Sequence, residues 1–186
     1  MQPPPAPPAG WAERIEWTDY DGLGRLTLPM PMLGERHEFV LFPADGAPSQ
    51  ATERMGRTIA DVLALGAADL AAIETLLWEE CLFSFQVADY GVDALPGESS
   101  LDAHLREFGV SGPADALAKA RLREIQVDDG FAARFARLQY LTVADNLVSV
   151  IVKDGRVIDY DDDGTYLRWF EQDERYAHRR RQKVLA

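Results

Sequence analysis

The sequence predicts an α+β domain: an antiparallel β-sheet with a helical layer on one face and a C-terminal helix. Three observations predict it. Apolar residues recur with a period near two from Ile15 to Phe42, and again from Arg121 to Tyr160. Between these stretches, from Met55 to Ala118, the period becomes helical. Nothing repeats at a fixed interval, so the order of β-rich, helical, β-rich and helical stretches describes one layered domain.

Residues 1–12 hold five prolines and no packing pattern, which predicts a flexible lead-in. Residues 13–174 make the single domain and 175–186 a basic tail. "RIEWT", "RLTLPMPM" and "HEFVLF" read as short strands, with "DYDGLG" and "LGER" as turns between them. Pro29 and Pro31 lack an amide donor, which puts their strand at an edge or a bulge. Ser49 is positioned to cap the first helix, on which Met55, Ile59, Val62 and Leu63 share a face and which Gly66 ends. A second helix starts near Asp69. Leu70, Ile73, Leu77 and Cys81 form its buried stripe, widened by Leu76, Leu82, Phe83 and Phe85. So broad an apolar surface predicts a helix sandwiched by other elements.

Ser99 with Asp102 reads as a capping box for a short helix with Leu101, Leu105 and Phe108 inward, and Gly109 suits the left-handed position after it. Pro113 opens a further short helix through Ala118. "RLREIQV", "FARLQYLTV", "LVSVIVK" and "RVIDY" are strands, and Asp-Gly in "KDGR" suits a type I′ hairpin turn. After Gly164 a final helix uses Leu167 and Phe170, carries Trp169 and runs out into "HRRRQK".

The chain of 186 residues is 47% hydrophobic, enough for a real core. Its formal charge of −12 is unevenly placed. The tail from Arg175 carries +5, leaving 14 basic against 31 acidic side chains upstream, or −17. A body this acidic repels nucleic-acid phosphates and anionic membranes and attracts basic surfaces. A single cysteine, Cys81, allows no internal disulfide and points to a reducing compartment. The start "MQPPPAPPAG" has no secretory signal pattern, and no apolar run approaches the roughly 20 residues of a membrane helix. The expectation is a soluble cytoplasmic protein. Three Lys against 16 Arg fits a GC-rich bacterial gene.

"VIDYDDDG" is the densest acidic stretch. An EF-hand loop needs oxygen ligands at positions 1, 3 and 5, Gly at 6 and Glu at 12. Asp159, Asp161, Asp163 and Gly164 fill the first four places, but Phe170 falls at position 12 and Glu171 comes one residue late. On a helix that slip turns the carboxylate by about 100°. A strand, not a helix, precedes the loop. The better reading is a cap: Asp163 or Thr165 starts the last helix, Gly164 bends the chain, and Asp161 and Asp162 sit in the first-turn region near its dipole. His37, His104 and His178 have no metal-ligand spacing, Cys81 lies on an apolar stripe without a visible base, and no phosphate-binding or nucleophile-elbow motif occurs. The sequence therefore predicts no catalytic residue, no metal site and no cofactor. The "HRRR" stretch reads as a basic helix end complementing its own dipole, or as a segment folded onto the acidic body.

The layout from Arg25 to Gly164, above all "LQYLTVADNLVSVIVKDG", resembles a group of small bacterial domains encoded beside secreted toxins and regarded as immunity-protein-like. Where some of those domains carry Trp-Asp-x-Glu-His-Gly, this chain reads "YDDDG" without Glu-His. The resemblance implies a non-enzymatic protein that binds and neutralises a toxin. An acidic inhibitor is steered onto a basic toxin surface, and a few desolvated anchors then hold it. The partner-binding set is accordingly Asp159, Asp161, Asp162 and Asp163 with the aromatics Tyr166 and Trp169, of which Asp161 and Asp162 are taken as exposed. Trp169 packed against the sheet is the competing reading, and the helix face around Glu74 and Glu79 the alternative acidic surface. Two other classes remain open: a regulatory domain binding a metal or small ligand at Asp159–Gly164, and a hydrolase marked by a deep pocket with two facing carboxylates.

Overall fold

The computed structural model describes residues 6–162 and 166–185. Among them, seven strands form one sheet in chain order: β1 (Glu16–Trp17), β2 (Gly24–Met30), β3 (Glu35–Phe42), β4 (Arg121–Asp128), β5 (Phe135–Leu141), β6 (Leu147–Lys153) and β7 (Arg156–Asp162). Neighbours are antiparallel except β3 and β4, which pair in parallel from Phe39↔Ile125 to Phe42↔Asp128. Parallel partners need a long crossover. Here it is the helical layer itself: α1 (Glu53–Leu63), α2 (Ala67–Val87), α3 (Ser100–Phe108) and α4 (Pro113–Lys119). Two short helices, α5 (Arg168–Gln172) and α6 (Tyr176–Leu185), close the chain. No helix among the described residues is long and apolar enough to cross a membrane.

Local chemistry sets the boundaries. Thr52, not Ser49, caps α1: its Oγ1 accepts from the Met55 N–H at 3.1 Å, while Ser49 donates to the Gly22 carbonyl. The Gly66 N–H donates to Asp69 Oδ2 at 2.9 Å and fixes the start of α2. Ser99 accepts from the Asp102 N–H as its spacing predicts, and Gly109 takes φ +64° beyond α3. The β6–β7 turn has φ +48° at Asp154 and +79° at Gly155, both positive as a type I′ turn requires. β1 covers only Gly24 and Arg25, so Pro29 stands where the outer edge of β2 is open.

The main core lies between the sheet and α1, α2 and α4. Leu28, Phe39, Ile125, Leu138 and Val150 from the sheet meet Ile59, Ile73 and Leu77 from the helices. Leu63 and Leu70, expected inside, are half-buried at its margin. α2 contacts α3, α4, β7 and α6, which accounts for its apolar breadth. His104 is structural: it is buried against Phe85 and Phe108, donates Nδ1–H to the Ser100 carbonyl at 2.6 Å and accepts the Tyr90 N–H at Nε2.

The opposite face of the sheet has its own smaller core. Phe135 and Ile151 meet Leu167, Phe170 and Ala177 there. The C-terminal segment is not the single helix expected. Asp173 is extended (φ −152°, ψ 100°), so α5 covers this second face and α6 turns along the free edge of β7.

Candidate functional site

Asp159 stands on a strand, as "RVIDY" reads, and Asp161 and Asp162, expected in the first-turn region of the last helix, extend the same strand, β7. Asp159 pairs with Ile151 and Asp161 with Ser149 across β6–β7, on the face opposite the main core. Their alternation with Tyr160, which faces that core, follows from the period of two. α6 then lies against β7 and meets them. Arg181 donates to Asp159 Oδ1 at 2.6 Å and to the Tyr160 carbonyl at 2.5 Å, with its guanidinium 3.6 Å over the Tyr160 ring. The His178 N–H, in the first turn of α6, donates to Asp159 Oδ2 at 2.9 Å. Asp159 is thus both a cap for α6 and half of a buried ion pair. The helix also covers an edge strand that would otherwise offer open backbone groups.

This corrects the exposed acidic knob. Asp159 and Asp161 are 3% and 2% exposed, so neither is a rim charge. Asp162 is exposed and shares Arg180 with Asp161, at 2.6 Å and 3.0 Å. Of the two readings of the basic tail, the structure has the one in which it folds onto the acidic body, through Arg180 and Arg181. Asp163, Gly164 and Thr165, with the cap and bend assigned to them, lie outside the described residues. Tyr166 and Trp169 are exposed, with the Trp169 ring tilted against Tyr176, centroids 4.6 Å apart. They belong to the α5–α6 junction and not to the cleft that Asp161 and Asp162 line.

That cleft, about 530 Å³, opens between α2, α6 and the ends of β6 and β7. Its walls are Phe83, Leu147, Val148 and Val184; its polar side has Glu80, Tyr160, Asp161, Asp162 and Arg180, and Asp145 lies in the β5–β6 turn. Glu80 was not among the expected site residues. It is 3% exposed. Its Oε1 accepts from Ser84, one helical turn on, and from Asn146 Nδ2 at 3.0 Å. The same Asn146 amide reaches the Tyr90 hydroxyl at 2.8 Å. Glu80 Oε2 and the Tyr160 hydroxyl have no hydrogen-bond partner among the described residues. The signal in the sequence was its spacing: Glu80 and Ser84 lie three and seven residues beyond Leu77, on the buried stripe of α2.

Burial raises the Glu80 carboxyl, against the lowering pull of Ser84 and Asn146. Burial also pushes Asp161 up to about 7, helped by the hydrogen bond and charge of Asp162. Burial and the neighbouring charge of Asp162 make Asp161 the carboxyl of the pair that holds its proton as pH rises, and Asp162 is correspondingly lowered. Arginines engage Asp159 and one oxygen of Asp161. Among the described residues no three His, Cys, Asp or Glu side chains group as metal ligands. Comparison with protein-family models, with curated proteins and with solved structures finds no match to the chain.

Proposed function

We propose that the protein is a non-enzymatic inhibitor of the immunity type, which neutralises a bacterial effector by covering a basic surface with the α2–α6 cleft and its acidic rim. The observation that carries this reading is a cleft with apolar walls in which a buried carboxylate oxygen, Glu80 Oε2, has no partner within the chain. An apolar floor with a charged rim matches the anatomy of a protein interface. The net charge of −12 supports a basic partner. The stretch carrying the immunity-protein resemblance also supplies Asp145, Asn146, Leu147 and Val148 to the cleft. Tyr166 and Trp169 then form a separate exposed aromatic patch, and Glu79, next to Glu80 on α2, lines an adjoining groove against α6.

The test is co-expression with the effector encoded beside the gene. Protection of growth, with a stable complex of the two purified proteins, supports the reading. Full toxicity in the presence of folded protein sinks it. One second reading has a specific observation behind it: Glu80 and Asp161, both with raised carboxyl pKa, line the same cleft, as a hydrolytic carboxyl pair does. Turnover of glycoside or ester substrates that vanishes in Glu80→Gln would favour it. A small-ligand role would likewise centre on this cleft rather than on the aspartate loop.

A further inference from the structure

We infer that the cleft is a recess for a single basic side chain of the partner, a lysine or arginine whose cationic head pairs with Glu80 Oε2 and whose aliphatic stem lies along Phe83, Leu147 and Val184. This rests on the proposed protein-binding function and names the chemistry of its anchor.

A buried charged oxygen is costly unless a partner satisfies it. Glu80 keeps Oε1 fully engaged with Ser84 and Asn146, which fixes the carboxyl plane and leaves Oε2 open. The Tyr160 hydroxyl, both donor and acceptor, is a second polar group on the same cleft without a partner, and its oxygen is open to a donor. Two unmet acceptors call for a donor-rich ligand, and an ammonium or guanidinium group brings donors and no acceptor.

Charge selects the same ligand. Glu80, Asp145, Asp161 and Asp162 face the cleft from α2, the β5–β6 turn and β7. Against them α6 sets Arg180, already bound to Asp161 and Asp162, and Arg181, already bound to Asp159 and the Tyr160 carbonyl. Engaged arginines are poor sites for an anion, and the acids outnumber them. The apolar walls suit a methylene stem, as long basic side chains bury their stems and keep their heads in polar surroundings.

The recess can be tested without the effector. The probes are Nα-acetyl-lysine methylamide, Nα-acetyl-arginine methylamide and the uncharged Nα-acetyl-norleucine methylamide, followed by NMR at the Asn146 side-chain amide and the Leu147 and Val148 backbone amides. The expected result is saturable shifts with a cationic probe, at least roughly tenfold weaker with norleucine, since charged hydrogen bonds separate such ligands by that much or more. Glu80→Gln keeps the Oε1 bonds and loses no Oε2 partner, so it folds; it should bind the cations at least tenfold less well. Binding should strengthen as pH rises and the Glu80 and Asp161 carboxyls lose their protons. Equal binding of norleucine, undiminished binding by Glu80→Gln, or no shift at the cleft with any probe overturns the recess. A recess that binds cations in a protein that fails to protect against the effector would remove the toxin reading alone. Protection with no probe binding would remove the recess alone.

Discussion

Replacing Asp159 by Asn removes one charge from the contact between β7 and α6 and leaves the shape unchanged. Arg181 then keeps its bond to the Tyr160 carbonyl and its place over the Tyr160 ring, but loses the Asp159 carboxylate. Breaking a buried ion pair by removing one partner costs about 3–5 kcal/mol. The two surviving contacts put this case near the lower end, about 3 kcal/mol. In a chain of this length each kcal/mol moves the melting temperature by about 2–4 °C, so the midpoint should fall by about 6–12 °C. Urea unfolding gives the free energy, and hydrogen exchange should show early loss of protection in α6. Adding Arg181→Met to Asp159→Asn should recover most of the loss, because an apolar replacement for a buried pair is often neutral or better. An exposed pair is worth only about 0–1 kcal/mol. A loss below about 0.5 kcal/mol in Asp159→Asn would mean that α6 is not latched here.

Leu77→Ala, in the main core, should cost about 2–5 kcal/mol in urea unfolding, while Leu70→Ala at the half-buried margin should cost less. Asp161, raised to about 7 by burial and by Asp162, holds its proton more tightly in the folded protein than in the unfolded one. Its contribution to stability is therefore present below its unfolded pKa near 4 and is lost as pH rises from there to about 7. Asp161→Asn, which keeps an oxygen for Arg180, should flatten the melting temperature across that window; an unchanged slope would remove Asp161 as its cause. Burial, with Glu80 beside it, pushes the Cys81 thiol up to about 12, so iodoacetamide should label it only after unfolding. Rapid labelling of the native protein would contradict the packing of α2.

Short-range features were legible in the sequence because neighbouring residues cause them. Asp154–Gly155 dictated the type I′ turn, and Ser99–Asp102 the start of α3. The seven strands followed from alternation where one face is buried and from a β-branched apolar run where both are, as in β6. Choices between near-equivalent groups were not legible. Ser49 and Thr52 can both cap α1, and only the pull of Ser49 toward the Gly22 carbonyl, 27 residues away, decides for Thr52. The parallel β3–β4 pair depends on where the crossover lands. Asp159 read as a surface charge because its partner, Arg181, is 22 residues away and arrives only when the chain turns at Asp173. Glu80 was hidden because an apolar helix masks one acid on its buried stripe, and the groups that satisfy it come from a turn 66 residues later.

The most direct test of the acidic cleft as a toxin-binding surface is the association rate with the effector, at low and high salt, for the wild type and Glu79→Lys/Asp162→Lys. Asp162 is exposed on the cleft, and Glu79 is half-buried in the groove that adjoins it along α6. Circular dichroism should show both proteins folded alike. Steered association predicts that the variant binds at least roughly tenfold more slowly at low salt and that the two rates converge at high salt. Equal rates at low salt would contradict the cleft as the binding surface.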